Sequence, residues 1–212
     1  MSIRILLADD HNLIRTSLAR LLENEIDFEI VGETDNGRDT VKLANELLPD
    51  IIIMDIGMPK LNGMEATKQI LQASKNTKIV ALSMHSDKQF ITGMFKAGAS
   101  GYLLKDCAFD ELIDAIYTVQ NKKVYISKEI SSTVISELVG SASKDSSELS
   151  DREKEVLQLI VEGKSTKVIA STLNLSIKTI ESHRKNIMAK LDLYSLPELT
   201  KYAVRMGITS LH

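Results

Sequence analysis

The chain has 212 residues, 43 % of them hydrophobic, a mean hydropathy of −0.04 and a single cysteine, Cys107. That composition is ordinary for a globular protein, contains no run near the roughly 20 apolar residues of a membrane span, and excludes an internal disulfide or a cysteine-rich zinc site. The net charge of −3 is unevenly spread: from Leu149 onward there are 10 Lys+Arg against 7 Asp+Glu, and before it 16 against 22, which points to two modules with different partners.

The start, Met1-Ser2-Ile3-Arg4, runs straight into an apolar strand. No signal peptide is therefore expected, and with one cysteine the chain fits a reducing, cytoplasmic setting with no membrane partner. Strand and helix patterns alternate over about the first 120 residues, as in βαβ units. Ile3–Ala8 reads as a strand ending in Asp9-Asp10, and the helix after it carries Ile14, Leu18, Leu21 and Leu22 on one face. Phe28–Val31 is short and partly polar, as an edge strand is. Helix Arg38–Leu48 stops before Pro49, which disfavours helix in the residue ahead of it.

Ile51-Ile52-Ile53-Met54-Asp55 is the most informative stretch. A run this apolar, bounded by Gly57, Pro59 and Gly63, reads as a strand buried on both faces, with Asp55 at its carboxyl end. Helix Met64–Ser74, strand Lys78–Leu82 and helix Asp87–Ala97, stopped by Gly98, follow. Strand Ser100–Leu104 ends at Lys105, and helix Phe109–Gln120 closes the set. Five strands and five helices suit an α/β doubly wound, five-stranded parallel sheet of flavodoxin-like order 2-1-3-4-5, whose site lies where strands 1 and 3 diverge.

In that order the strand ends gather Asp9, Asp10, Asp55, Ser83 and Lys105. One acidic residue at a strand end means little, because loops are solvated. Three carboxylates, a hydroxyl and a lysine, each at a strand end, point to chemistry. Mg²⁺ takes hard oxygen ligands and keeps waters; Asp10, Asp55 and a nearby backbone carbonyl suit it, with Asp9 acting directly or through water. Asp55 can attack a phosphoryl group as a carboxylate nucleophile. Lys105 suits phosphate oxygens as a point charge, and the Ser83 hydroxyl can bond the new phosphate. His11 reads as a solvated helix-start residue and Cys107 as a packed thiol.

Ile126–Val139 has helical spacing, and Gly140–Ser147 breaks it with small polar residues, as a tether does. The expected organisation is a domain over 1–121, a linker helix and tether over 122–148, and a small all-α domain over 149–212. In the last, Ser150-Asp151-Arg152-Glu153 reads as a capping box. A helix ending at Gly163, a short helix Ser165–Thr172, a tight turn and a helix Ile177–Leu191 capped by Ser176 suggest a helix-turn-helix. Ile177, Ile180, Ile187 and Leu191 share one side of the long helix. Lys178, Glu181, Ser182, Lys185 and Ala189 share the other, which could enter a major groove about 12 Å wide or simply face water. A last helix, Leu196–Met206, has Leu196, Leu199, Ala203 and Met206 on one stripe, which could simply cap the small core.

Two resemblances cover nearly the whole chain. Leu6–His11 (LLADDH), Met54–Glu65 (MDIGMPKLNGME), Ala81–Met84 (ALSM) and Ala97–Asp106 (AGASGYLLKD) resemble the receiver domain of two-component response regulators. Leu149–Ala170 and Leu175–Leu191 resemble the LuxR-type helix-turn-helix, and the pairing is similar to the NarL/FixJ class. The first resemblance implies that Asp55 is the phosphoacceptor and that Asp9, Asp10, Asp55 and the Gly57 backbone carbonyl hold Mg²⁺. It implies further that Ser83 is the switch hydroxyl, Lys105 the phosphate-binding lysine and Tyr102 a rotating aromatic. The second implies groove-facing Glu181, Ser182 and Lys185, with Lys178, Thr179, His183 and Arg184 at phosphate or adjacent contacts, and a dimer helix carrying Leu196, Leu199, Ala203 and Met206. The implied partners are a sensor histidine kinase, double-stranded DNA with an inverted repeat, and a second copy of the chain when phosphorylated. The implied function is phosphorylation-dependent transcription regulation rather than enzymatic turnover. Two other functions stay open on sequence. An aspartyl-phosphate hydrolase usually has an acid two residues after its nucleophile, where this chain has Gly57. A constitutive DNA-binding protein would use the first domain only for contacts.

Overall fold

The computed structural model describes residues 2–131 and 149–209, and the chain divides into two compact units between residues 141 and 142. The expected helix Ile126–Val139 from residue 132 on, and the whole tether 140–147, lie outside the described residues.

The first unit alternates β1 (Ile3–Ala8), α1 (Asn12–Glu23), β2 (Phe28–Thr34), α2 (Gly37–Leu47), β3 (Ile51–Asp55), α3 (Gly63–Ala73), β4 (Lys78–Ser83), α4 (Lys88–Ala97), β5 (Gly101–Leu104) and α5 (Phe109–Gln120), and ends in β6 (Tyr125–Ile126). The strands form one sheet in the order β2-β1-β3-β4-β5-β6, every pairing parallel. The first five follow the expected order. The sixth corrects the expectation: Ile126 is not the start of a helix but half of a two-residue strand on β5. The reason is local hydrogen bonding, since Tyr125 N donates to Ser100 O at 3.0 Å and Ser127 N to Tyr102 O at 3.1 Å.

β3 lies between β1 and β4, which explains its unbroken apolar run. Successive side chains point to opposite faces. Ile52 and Met54 enter a core with Leu6, Ala66, Ile70, Ile91 and Met94, while Ile51 and Ile53 enter one with Ile5, Leu7, Leu112 and Ile116. Full burial of each such side chain stabilises by about 1.5–3 kcal/mol, so the strand is held from both sides and Asp55 is carried to a fixed place. Leu21, expected on the buried face of α1, is 42 % exposed; Leu22, expected there too, is buried, and Ala19 is buried with it.

The turn after β3 is equally constrained. Asn62 caps α3, its side chain accepting from Glu65 N at 2.9 Å, and Gly63 N donates to Ile56 O at 2.9 Å. A Cβ on Gly63 would collide with the Asp55 carbonyl oxygen and touch Ile56 Cα at 3.0 Å, so only glycine lets the two backbones approach.

The second unit contains α6 (Asp151–Val161), α7 (Thr166–Leu173), α8 (Ile177–Leu191) and α9 (Leu196–Arg205). Ser150 and Glu153 form the expected capping box, and Ser195 and Glu198 form another at α9. Val156, Leu157, Ile169, Leu173, Ile180, Ile187, Leu199 and Ala203 share one core. Arg152 ties α6 to α7 by donating to Leu173 O at 2.7 Å. Lys190, on the last turn of α8, donates to Glu153 Oε2 at 2.6 Å. Burial acts most strongly on Glu153 and raises its pKa, but its bonds from Lys190 and Ser150 outweigh burial and hold the carboxyl below the ordinary range.

Candidate functional site

The carboxyl ends of β1, β3 and β5 converge on one acidic pocket. Asp9 and Asp55 are each 4 % exposed, and Asp10 is half-buried beside them. Asp9 is fixed by its neighbours: its N–H donates to Thr34 O at 3.1 Å, its carboxylate accepts from His11 N at 2.8 Å, and Arg15 donates to its carbonyl at 2.6 Å. Lys105 enters from the end of β5 with a side chain only 1 % exposed. Its Nζ lies 2.9 Å from Asp9 Oδ2 and 3.0 Å from Asp55 Oδ2. Burial, the largest influence on Asp55, pushes its carboxyl above the ordinary range, with Lys105 pulling the other way. Gly57 N donates to Asp55 Oδ1 at 3.3 Å.

One oxygen from each of Asp9, Asp10 and Asp55, together with a ring nitrogen of His11, lies within 4.8 Å of the others. An octahedral ion with ligands at 2.0–2.1 Å has opposite ligands about 4.2 Å apart, so the set, at its widest, would close by at most about 0.6 Å to share one divalent cation. His11, expected as a solvated helix-start residue, is turned toward these acids. The structure places its Nδ1 2.9 Å from Asp10 Oδ1. Position puts His11 beside the acids, directly after two of them at a strand end, but does not fix which way its ring turns. Arg15, which also holds Glu33 at 3.3 Å, carried no such signal.

Ser83, the last residue of β4, is wholly buried. Its Oγ accepts from His85 N at 3.1 Å, and its carbonyl accepts from Lys105 N at 2.8 Å. Tyr102 is also wholly buried, and its hydroxyl donates to His85 O at 2.7 Å. The His85 ring stacks on Phe90 at 4.1 Å. Ser83, His85 and Tyr102 are thus one hydrogen-bonded group, with Tyr102 turned inward and lodged in a two-sided strand rather than at an edge. Cys107 is half-buried. Burial first, then Glu111, pushes its thiol up to about 11, which suits a packed group and not a reactive one.

In the second unit α7 and α8 are joined by the three residues 174–176, with Asn174 in the left-handed region at φ +54°. Ser176 caps α8 by accepting from Thr179 N at 3.1 Å. Lys178, Glu181, Ser182, Arg184 and Lys185 are exposed on α8, with Thr179 and His183 half-buried. Ile177 is 49 % exposed, unlike Ile180 and Ile187, so it is not on the buried stripe; as the first residue of α8 it lies beyond the core. α9 caps the small core. Leu199 and Ala203 are wholly buried in the unit's own core, while Leu196 and Met206 are 46 % and 39 % exposed.

A doubly wound sheet with an acid pocket at the ends of β1 and β3, closed by a lysine from β5, defines a receiver-type domain, here on one chain with a helix-turn-helix. Residues 5–117 match the family described as response regulator receiver domain, and residues 147–203 that of bacterial regulatory proteins, luxR family. The chain is 36 % identical to the transcriptional regulatory protein DegU of Brevibacillus brevis, over 97 % of this chain and 94 % of that one. It is 35 % identical to the oxygen regulatory protein NreC of Staphylococcus carnosus, over 95 % and 97 %. Among solved structures, RcsB from Salmonella enterica serovar Typhimurium, bound to promoter P1flhDC with a phosphomimetic, matches with a TM-score of 0.62 and 27 % identity over 99 % of this chain and 100 % of that one. The chain belongs to the two-component response regulators of the NarL/FixJ class, transcription regulators that join a receiver to a LuxR-type DNA-binding domain. Among the described residues no helix is long and apolar enough to cross a membrane.

Proposed function

We propose that Asp55 is the residue that accepts a phosphoryl group from a histidine kinase, and that this modification controls DNA binding by residues 149–212. The observation that carries the reading is the buried Lys105 ammonium held between Asp9 and Asp55. A lysine so placed is a ready partner for phosphate oxygens on Asp55. An Asp55 oxygen attacks phosphorus, the bond from phosphorus to the donor nitrogen breaks, and that nitrogen keeps the electron pair. Asp9, Asp10, Asp55 and the Gly57 carbonyl would hold Mg²⁺, which when bound offsets repulsion between the carboxylates and the incoming phosphoryl group. The new phosphate draws Lys105 and the Ser83 hydroxyl. Ser83 then gives up its bond from His85 N, and the group that keeps Tyr102 inward is disturbed. On this reading the chain assists its own modification but turns over no separate substrate.

On α8, Glu181, Ser182 and Lys185 are the residues we assign to base edges, and Lys178, Thr179, His183 and Arg184 to phosphates or adjacent contacts. Phosphate contacts fix register while base contacts specify. A dimer formed on phosphorylation would read an inverted repeat. The boundaries proposed for these roles are 1–121, 122–148 and 149–212, with β6 belonging structurally to the first unit.

The test is intact mass after incubation with a small acyl-phosphate donor, followed by DNA binding of each state. A single phosphoryl adduct that requires both Mg²⁺ and Asp55, with tighter DNA binding by the modified chain, is the expected result. Equal DNA affinity for wild type and Asp55→Asn, with and without donor, would instead mark a constitutive DNA-binding protein.

A further inference from the structure

We infer that His11 is itself a ligand of the cation held by the acid pocket, and that its nitrogen shifts the site's preference from Mg²⁺ toward divalent first-row transition ions. The inference rests on the pocket binding a divalent cation, as proposed above, and adds a donor of a different kind.

His11 occupies the N-cap position of α1, yet its side chain makes no capping hydrogen bond. Its ring turns to the carboxylates instead. Nδ1 lies 2.9 Å from Asp10 Oδ1, 3.3 Å from Asp9 Oδ1 and 4.0 Å from Asp55 Oδ2. An octahedral ion with bonds of 2.0–2.1 Å places neighbouring ligand atoms about 3.0 Å apart and opposite ones about 4.2 Å apart. The first two separations match neighbouring ligands and the third matches opposite ones. Lys105 Nζ stands 3.3 Å from the same nitrogen. The tautomer with its proton on Nε2 would accept from that ammonium, and it is the same tautomer that a metal-ligating Nδ1 requires. Nδ1 and Asp10 Oδ1, 2.9 Å apart, are close enough to share a proton, and with the ring proton on Nε2 they are equally placed to share a cation. The side chain is 48 % exposed, so packing does not force the ring inward, and the outer positions of the ion remain open to water and to a phosphoryl group.

The chemistry gives the inference its direction. Mg²⁺ demands oxygen and dehydrates reluctantly, so an imidazole adds little for it. Imidazole suits the transition ions, and affinity rises from Mn²⁺ through Co²⁺ to Ni²⁺. His11 therefore acts as a selectivity residue: its contribution should be small for Mg²⁺ and grow along that series.

The experiment uses the full chain with Mn²⁺ alone, read by pulsed electron paramagnetic resonance for nitrogen coupling, and titrations with Mg²⁺, Mn²⁺ and Ni²⁺. The variants are His11→Ala, His11→Asn and Asp10→Asn. The expected result is coupling to one imidazole nitrogen in the wild type and none in either His11 variant. His11→Ala should weaken Mn²⁺ roughly tenfold and Ni²⁺ more, with Mg²⁺ changed by about twofold or less. Asparagine, an oxygen donor, should restore part of the Mn²⁺ affinity without the nitrogen signal. The inference is overturned if Mn²⁺ bound in an Asp10-dependent way shows no nitrogen coupling, which would leave His11 as a charge partner of the carboxylates only. It is also overturned if the coupling survives in His11→Ala. If Asp55 is phosphorylated in Mg²⁺ and the coupling is missing, only this inference falls. If no cation binds and Asp55 stays unmodified, the functional reading falls with it.

Discussion

Replacing Lys105 with methionine, which keeps the length of the side chain and removes its charge, should destabilise the first unit by roughly 3–5 kcal/mol near neutral pH, the range for breaking a buried ion pair from one side. Two unit charges 3 Å apart attract by about 5 kcal/mol at an effective dielectric of 20, and Lys105 has such contacts with both Asp9 and Asp55. Dehydrating a buried ammonium, at several kcal/mol, offsets much of that attraction in the wild type. The variant recovers the dehydration cost but leaves carboxylates facing one another. The pH dependence follows in sign. Burial already raises the Asp55 carboxyl and Lys105 lowers it, so the variant's Asp55 rises further. A raised carboxyl binds more protons folded than unfolded, so stability falls as pH rises through the interval above the unfolded value of about 3.9. The deficit of Lys105→Met should therefore be greatest at pH 7–8, shrink as pH falls toward the unfolded value, and be smallest below about pH 4. The assay is urea unfolding of the full chain followed by hydrogen exchange in β1 and β3, for wild type, each single variant and the Lys105→Met/Asp55→Asn pair. The double variant should recover a large part of the loss. Equal stability of Lys105→Met and wild type at pH 7.5, or strict additivity with Asp55→Asn, would refute the reasoning.

Gly63→Ala should cost about 2–3 kcal/mol and lower the yield of phosphorylated Asp55, because the obstructing atoms are backbone; thermal unfolding and intact mass together check it. Glu153→Gln should flatten the pH dependence of the second unit. Glu153 has a lowered carboxyl, so it contributes stability above the unfolded value of about 4.3 that is lost as pH falls through its folded value; melting curves from pH 3 to 7 report this. Lys185→Ala should weaken DNA binding, and the salt dependence separates its roles. A phosphate contact reduces the slope of log affinity against log salt by about 1, whereas a base contact relaxes preference at one position.

How much of this was legible in sequence depended on the length of each signal. β3 could be read because five residues carry its apolar run, and Asp55, Asp9 and Lys105 could be placed because strand order alone brings strand ends together. β6 could not, because two residues, Tyr125 and Ile126, display no periodicity; its evidence is a pair of backbone bonds to β5. The ambiguity at α9 has another cause. Periodicity locates an apolar stripe but not its partner, and Leu199 and Ala203 turned out to serve their own core. At Ile177 the 3.6-residue period was correct, yet the core ends before the helix does. His11 was a matter of direction: its place after Asp10 was plain, but the turn of its ring inward is a tertiary fact.

β6 has a practical consequence for anyone dividing the protein. A fragment cut at residue 121 would strip the sheet of its outermost strand and leave the Ser100 and Tyr102 carbonyls without the donors at Tyr125 and Ser127. It would also withdraw Ile130, 1 % exposed, from the core. The strand so uncovered is β5, short and apolar, and an unguarded edge of that kind recruits strands from other molecules. Such a fragment should self-associate, whereas one extended through Ser131 keeps its border closed.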